Sequence, residues 1–121
     1  MTPARPIMVV EDDDNIRDFV ELILEGEGYP VVTASNGAIA LDLLEQCAPS
    51  LILLDVRMPV MDGREFARRY RAWPDPRAPI VVVTAAVEAA ERAAELGAAG
   101  YLAKPFDLNV ILRMVQEHLQ A

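Results

Sequence analysis

The sequence has a single cysteine and contains no apolar run long enough to cross a membrane. One cysteine, Cys47, excludes a disulfide within the chain and is typical of proteins in a reducing compartment. A spanning helix needs about 18 or more consecutive apolar residues, and the N-terminal segment has too short an apolar core to resemble a secretory signal. We therefore expect a cytoplasmic protein with no membrane partner.

Basic residues are also few, because 11 lysines and arginines stand against 19 aspartates and glutamates, for a net charge of -8. Nucleic acids are bound through clustered Lys and Arg, so this balance weighs against direct nucleic-acid binding. Five arginines do lie close together in the sequence, at Arg64, Arg68, Arg69, Arg71 and Arg77. We interpret them as a solvated helix face.

What the chain does have is a hydrophobic fraction of 53% over 121 residues, enough for one folded domain with a proper core. Short apolar runs alternate with longer segments of helical period. The runs predict strands at residues 7–10, 31–33, 51–54, 80–83 and 100–103.

A helix is predicted after each strand. The first has apolar residues at i, i+3, i+4, i+7 and i+8 and ends at "EGEGYP", where Gly26 or Gly28 can take the left-handed cap. The second begins at "SNG" and places Cys47 on its apolar face, so we interpret Cys47 as a small core residue. The third stops before Pro74, the fourth covers residues 88–96, and the last places the only histidine, His118, at the edge of its apolar stripe, which predicts a half-exposed structural residue.

Five strands that each precede a helix predict an α/β fold with a doubly wound five-stranded parallel sheet and helices on both faces. The strands are unbroken apolar runs, as expected for strands buried on both sides. In such sheets, ligands bind at the carboxyl ends of the strands, near the point where strand order reverses. The residues at these strand ends are therefore expected to carry the chemistry.

Polar side chains follow four of the five predicted strands: Glu11 and Asp12, Asp55, Thr84, and Lys104. Carboxylates that converge are ligands for a hard divalent cation such as Mg²⁺. A hydroxyl and an ammonium can bind phosphoryl oxygens, and an Asp carboxylate beside them is a competent nucleophile for forming an acyl phosphate. Asp55, on the middle strand, is the best candidate for that nucleophile.

The acidic run "EDDDN" divides into two pairs. Glu11 and Asp12 end the first strand and belong to the predicted cation site. Asp13 and Asp14 are better explained as the cap and first-turn acids of the following helix, where their negative charges interact favourably with the positive end of the helix dipole.

The segments "IMVVEDD", "LILLDVRMPVMDG", "IVVVTA" and "YLAKPF" resemble, in order, the characteristic blocks of the receiver domain of two-component response regulators. The spacing D-x-x-M-P-x-M-D-G with a later K-P-F is a specific signature. The resemblance implies the flavodoxin-like strand order 2-1-3-4-5. It also implies a single receiver domain over residues 1–121, with no output domain in this chain.

The same resemblance implies roles for the site residues. Asp55 is the phosphoacceptor, and Mg²⁺ is held by Asp12, Asp55 and the backbone carbonyl of Arg57, with Glu11 acting through a water. The phosphoryl oxygens contact Thr84, the Ala85 N–H and Lys104, and the Thr84–Tyr101 pair is the switch. Pro59 and Gly63 shape the loop after Asp55, and the Lys104–Pro105 bond is expected to be cis.

The resemblance implies a histidine kinase or histidine phosphotransfer protein as phosphoryl donor. The switching surface is then the fourth helix, fifth strand and fifth helix, which acts on a downstream protein partner or on an output domain missing from this chain. A phosphorylation-dependent homodimer is a further option. We expect a stand-alone receiver, because the last helix ends with the chain and no linker follows.

Two features depart from the commonest pattern. The acid pair is Glu-Asp where Asp-Asp is more usual. The segment between Thr84 and Lys104 is shorter than is typical, which predicts a short or displaced fourth helix.

Three alternatives compete with phosphoryl transfer to Asp55. An electron carrier of the flavodoxin type needs a Ser/Thr/Gly-rich loop after the first strand, where this chain has acids. A phosphatase with an aspartyl-phosphate intermediate needs a second acid at position 57, where this chain has Arg57. A receiver used only as a docking module, without phosphorylation, is the third.

Overall fold

The computed structural model of the protein describes residues 5–119, with the exception of the Ala86 side chain. Five strands and five helices alternate strictly along the chain. They are β1 (Ile7–Val10), α1 (Asp14–Gly26), β2 (Val31–Ala34), α2 (Gly37–Leu44), β3 (Leu51–Asp55), α3 (Gly63–Arg71), β4 (Ile80–Ala85), α4 (Ala86–Leu96), β5 (Gly100–Lys104) and α5 (Leu108–His118).

The strands form one parallel sheet in the order β2-β1-β3-β4-β5, which confirms the predicted fold and strand order. The chain moves outward from β1 to β2, then returns to the other side of β1 and continues through β3, β4 and β5. Strand order therefore reverses between β1 and β3. A crevice opens there at the carboxyl ends of the strands, as in other doubly wound sheets.

The core has two layers, one on each face of the sheet, because successive strand residues point to opposite faces. Met8, Val10, Ile52 and Leu54 pack with residues of α2, α3 and α4. Ile7, Val9, Leu51 and Leu53 pack with residues of α1 and α5. These eight side chains are at most 3% exposed, and each contributes roughly 1.5–3 kcal/mol through burial.

Four of the five helices begin with a side-chain cap. The caps are Asp13, Asn36, Asp62 and Asp107, and each accepts a hydrogen bond from the backbone N–H three residues later. This confirms the cap role predicted for Asp13, and Asp14 lies in the first turn of α1 as predicted. Such a cap stabilises a helix by about 1 kcal/mol. α4 follows Ala85 and has no side-chain cap.

Of the two expectations for the fourth helix, short or displaced, the first is wrong. α4 has 11 residues, as many as α5, and starts two residues before the predicted boundary at Glu88. β4 ends at Ala85 and α4 begins at Ala86, so the shorter sequence between Thr84 and Lys104 leaves no loop between the strand and the helix. Gly97 ends α4 in the left-handed conformation (φ 64°), and Gly28 takes that conformation after α1 (φ 88°).

The carboxyl ends of β4 and β5 extend further than predicted. Thr84 pairs with Ala103 and Ala85 pairs with Lys104, so the two strands continue into the residues assigned to the site. Lys104–Pro105 is cis, as the family resemblance implied. Cys47 packs half-buried against the core, and burial raises the pKa of its thiol. His118 is half-buried, and its Nδ1 lies 2.9 Å from the Met114 carbonyl oxygen.

The loop between β3 and α3 returns tightly to its strand at Gly63. The Gly63 N–H donates to the Val56 carbonyl oxygen at 2.8 Å. A Cβ at position 63 would lie 2.4 Å from the Asp55 carbonyl oxygen and 2.8 Å from the Val56 Cα. Only glycine allows this approach, and the approach sets the direction in which the chain leaves Asp55.

Gly63→Ala is expected to lower the free energy of unfolding by about 1–3 kcal/mol, because the atoms that the new methyl meets are backbone atoms that cannot rotate away. The matched control is Gly26→Ala, since a Cβ at position 26 meets nothing within 4 Å. The control should leave stability unchanged or raise it by up to about 1 kcal/mol. Urea denaturation measures both, and a Gly63→Ala variant as stable as the Gly26→Ala variant would contradict the close approach.

Candidate functional site

The polar residues singled out from the sequence meet in one depression of about 330 Å³ at the carboxyl edge of the sheet. Seven residues named as site residues from the sequence line it: Glu11, Asp12, Asp55, Arg57, Thr84, Lys104 and the apolar Ala85, which would contribute its N–H. Each sits at or just beyond the end of β1, β3, β4 or β5, and parallel strands bring those ends to the same edge. Residues more than 90 positions apart in the sequence are thereby neighbours.

Three carboxylates form the acidic part of the depression. One oxygen each of Glu11, Asp12 and Asp55 lies within 4.8 Å of the others. Glu11 and Asp55 are only 3% and 5% exposed, whereas Asp12 faces solvent. Buried carboxylates at this separation repel one another unless a cation lies nearby. An all-oxygen set of this kind fits a hard divalent cation.

Lys104 contributes the ammonium that faces these acids. Its Nζ lies 2.9 Å from Glu11 Oε1 and 3.5 Å from Asp55 Oδ2, so the closer partner is Glu11. Burial acts to lower the pKa of Lys104, but the bond to Glu11 and the charge of Asp55 outweigh it, and the pKa is raised. The other Glu11 oxygen accepts a bond from the Asp13 N–H at 3.1 Å, so Glu11 is held on both sides.

Asp55 is difficult to ionise in this setting. Burial, followed by the hydrogen bond and charge of the adjacent Glu11 carboxyl, raises its pKa from 3.8 to about 7. The charge of Lys104 and the Arg57 N–H, which lies 3.3 Å from Asp55 Oδ1, oppose the rise. A single ammonium shared by two buried carboxylates does not fully compensate both charges. The carboxylates therefore carry more negative charge than the Lys104 ammonium neutralises, which favours binding of a further cation.

Thr84 and Tyr101 occupy different environments. Thr84 is 3% exposed and lies at the rim of the depression, beside Asp55's strand. Tyr101 is 46% exposed on β5, the edge strand, and is paired in register with Val82. The fold thus brings Thr84 to the acidic site and leaves Tyr101 on the outer surface.

Two contacts at the site were missed in the sequence. The Arg57 side chain forms an ion pair with Glu88 of α4, and both residues line the depression. The Arg17 guanidinium donates to the Glu11 carbonyl oxygen at 2.9 Å and pairs with Asp14 at 2.6 Å, which ties α1 to the end of β1. Arg17 and Asp14 stand at the i, i+3 spacing of a helix, a signal that could have been used. Nothing in the sequence pairs residue 57 with residue 88.

Comparison with known proteins decides the family. The family model described as "Response regulator receiver domain" matches residues 7–116. The chain belongs to the response regulator receiver family. Its acidic pocket of Glu11, Asp12 and Asp55 is consistent with the phosphoacceptor site of such a domain. As a receiver domain, the chain is a signalling phosphoacceptor and not a classical enzyme.

Individual relatives agree with this assignment. The chain is 37% identical to the regulatory protein AtoC of Escherichia coli (strain K12), over 99% of this chain and 26% of that protein. It is 35% identical to sporulation initiation phosphotransferase F of Bacillus subtilis (strain 168), over 93% of this chain and 92% of that protein. The chemotaxis response regulator CheY4 of Vibrio cholerae superposes with a TM-score of 0.87 at 32% identity, covering 97% of this chain and 100% of that one.

The chain spans different fractions of its relatives. It covers about a quarter of AtoC, and 51% of response regulator MprA from Mycobacterium sp. (strain KMS), to which it is 41% identical over 98% of its own length. Similarity to these longer proteins therefore concerns their receiver part. Among residues 5–119, no helix combines the length and hydrophobicity that crossing a membrane requires.

The raised pKa of Asp55 predicts a pH-dependent stability in magnesium-free buffer. A carboxyl whose pKa is about 7 when folded and near 3.8 when unfolded stabilises the fold while protonated. That stability is complete below about pH 4 and is lost as pH rises to about 7. Asp55→Asn removes the titration, so the variant should match the wild type at pH 4 and exceed it at pH 8. The expected gain is on the order of 1–3 kcal/mol, since each tenfold change in proton affinity is worth about 1.4 kcal/mol.

Urea denaturation at the two pH values measures this difference. Asp18→Asn, on the exposed side of α1, is the control and should keep the pH dependence of the wild type. An Asp55→Asn variant that differs from the wild type by the same amount at pH 4 and pH 8 would refute the raised pKa.

Proposed function

We propose that Asp55 accepts a phosphoryl group from a phosphohistidine of a histidine kinase or histidine phosphotransfer protein. A carboxylate oxygen of Asp55 forms the new bond to phosphorus, the phosphorus–nitrogen bond breaks, and its electron pair stays on the imidazole of the donor. The observation that supports this most is the place of Asp55. It ends the central strand, almost buried, with acids on one side and Thr84 and Lys104 on the other.

Three groups are proposed to bind the phosphoryl oxygens. The Thr84 hydroxyl and the Ala85 N–H donate from the end of β4, and Lys104 supplies a point charge from β5. Lys104 already lies 3.5 Å from Asp55 and is bonded more closely to Glu11. Moving from Glu11 toward the phosphoryl group needs no large displacement, because both partners lie within reach of one ammonium.

The acidic cluster is proposed to hold Mg²⁺ through Asp12, Asp55 and the Arg57 backbone carbonyl, with Glu11 acting through a water. The donor set supports this cation site. One carboxylate oxygen each of Glu11, Asp12 and Asp55 lies within 4.8 Å of the others, and among residues 5–119 the ammonium that pairs with them, Lys104, contacts Glu11 and Asp55 but not Asp12. When bound, Mg²⁺ would neutralise the acids and the incoming phosphoryl oxygens. Asp12, which is exposed, leaves the cation open to solvent and to the donor.

The signal is proposed to leave the site through Thr84 and Tyr101. When Thr84 moves toward the phosphoryl group it vacates space at β4, and Tyr101 on the neighbouring strand can turn inward from its present exposed position. The surface of α4, β5 and α5 then changes. The changed surface then binds a downstream protein partner, an output domain outside residues 1–121, or a second copy of the chain. Residues 1–121 act as one receiver domain in this proposal.

Phosphorylation at Asp55 is tested by intact mass after incubation with acetyl phosphate and Mg²⁺. The wild type should gain one phosphoryl group and Asp55→Asn should gain none. Asp14→Asn is the matched control, because Asp14 has the same chemistry but its side chain is 80% exposed and points away into the pair with Arg17. No gain by the wild type, or an equal gain by Asp55→Asn, would refute the assignment and would favour a docking module that acts without phosphorylation.

Cation binding is tested separately by titrating Mg²⁺ into the unphosphorylated protein in a calorimeter. Asp12→Asn should weaken binding at least about tenfold, because it removes one of the proposed protein ligands. Asp14→Asn should bind Mg²⁺ as the wild type does. Equal affinities for the two variants would remove Asp12 from the ligand set, whatever the result of the phosphorylation assay.

A further inference from the structure

Arg57 joins the acidic site to the start of α4. Its backbone N–H donates to Asp55 Oδ1 at 3.3 Å, while its guanidinium forms a hydrogen-bonded ion pair with the Glu88 carboxylate. Glu88 is the acidic residue in the first turn of α4. Asp55, Arg57 and Glu88 all line the same depression. One residue therefore contacts both the proposed phosphoacceptor and the helix that begins at the end of β4.

The described side chains at the start of α4 offer few other anchors. Ala85 offers no side-chain cap, whereas the other four helices of the described chain each begin with a capping Asp or Asn. Val87 is 91% exposed, and the buried residue among the described side chains of the first turns is the small Ala89. Larger apolar contact comes only near the other end of the helix, at Leu96. The pair with Glu88 therefore anchors a first turn that has no side-chain cap.

The two partners differ in their surroundings. The Glu88 side chain is 23% exposed and the Arg57 side chain is 72% exposed. Arg57 can therefore leave Glu88 without crossing packed atoms. The far end of α4 keeps its own ion pairs, Arg64–Glu95 and Arg92–Glu95, both at 3.0 Å, so release of Glu88 would loosen one end of the helix only.

We propose that Glu88 and the phosphoryl group on Asp55 compete for the guanidinium of Arg57, so that phosphorylation releases the first turn of α4. This rests on the proposed function of Asp55. Phosphorylation replaces one carboxylate charge with a group of nearly two negative charges and three acceptor oxygens. The planar guanidinium pairs with phosphoryl oxygens as readily as with a carboxylate, and the phosphoryl group carries the larger negative charge. Arg57 then exchanges partners inside one depression.

The competition is reciprocal. If the phosphoryl group weakens the Arg57–Glu88 pair by some factor, the pair weakens binding of a phosphoryl group by the same factor. Removing Glu88 should therefore strengthen binding of a phosphoryl mimic. The expected size is about two- to fivefold, the range for one partly exposed ion pair.

The test measures the affinity of beryllium fluoride, a phosphoryl mimic, in Mg²⁺ by calorimetry. Glu88→Gln should bind about two- to fivefold more tightly than the wild type. Glu91→Gln is the matched control, since Glu91 lies three residues further along α4, is exposed, and makes no ion pair within residues 5–119. In an Arg57→Met background, which binds more weakly, Glu88→Gln should have no further effect. An equal gain in both backgrounds would show simple charge removal and overturn the competition.

A second measurement, amide hydrogen exchange, is made on the unphosphorylated protein. Glu88→Gln and Arg57→Met should both speed amide hydrogen exchange at residues 89–92 relative to Glu91→Gln, because each breaks the same pair. Unchanged exchange in both variants would overturn the role of the pair at α4. Failure of the wild type to bind beryllium fluoride would overturn the proposed function instead, so the two failures are distinct.

Discussion

Two buried carboxylates share one ammonium at the carboxyl edge of this sheet, and the rest of the site depends on that imbalance. Glu11 and Asp55 are almost completely removed from water, and Lys104 lies close enough to bond both of them. Burial, and then the hydrogen bond and charge of Glu11, raise the pKa of Asp55 to about 7, because the one positive charge of Lys104 does not offset them. An arrangement of this kind is costly unless a further cation or a change of charge state relieves it. The proposed function supplies both, as Mg²⁺ at the acidic cluster and a phosphoryl group on Asp55.

The fold keeps these charges in place by ordinary packing. β1 and β3 are buried along their whole length and β4 is buried from Val81 to Thr84, so packing on both faces holds the strands that carry the acids and Thr84. Gly63 lets the loop after β3 return onto Asp55, and Arg17 fastens the end of β1 to α1. The well-packed strands therefore present the acids. α4 starts without a side-chain cap, buries Ala89, Ala93 and Leu96, and is also linked to neighbouring segments by the Arg57–Glu88 and Arg64–Glu95 ion pairs.

The acids after β1 and the position of Arg57 also separate the proposed function from its rivals. A flavin carrier would need backbone N–H groups free to hold a phosphate after β1, but the acids occupy that turn and Asp13 caps α1. A phosphatase of the aspartyl-phosphate type would need an acid where Arg57 stands, and Arg57 is instead paired with Glu88. The family assignment and the site chemistry agree on a signalling phosphoacceptor.

The strands, the helices and most site residues could be predicted from the sequence, because each depends on a local pattern of residues. Unbroken apolar runs gave the strands, helical spacing gave the helices, and strand-end polar residues gave Glu11, Asp12, Asp55, Thr84 and Lys104. The Asp13 cap was also local. The errors were local in origin too. The start of α4 was placed late because "TAAV" has neither a cap nor a turn signal to mark where β4 ends.

The sequence by itself determined which residues end which strands, and therefore which groups meet at one edge. Tertiary structure alone decided how those groups share their charges. That Lys104 lies closer to Glu11 than to Asp55, and that Arg57 reaches Glu88, depends on distances across strands and between a loop and a helix. Such distances follow from the twist of the sheet and the position in which α4 packs against it. No periodicity in the chain encodes them, because hydrophobic spacing specifies which face an element buries and leaves the partners of its exposed charges open.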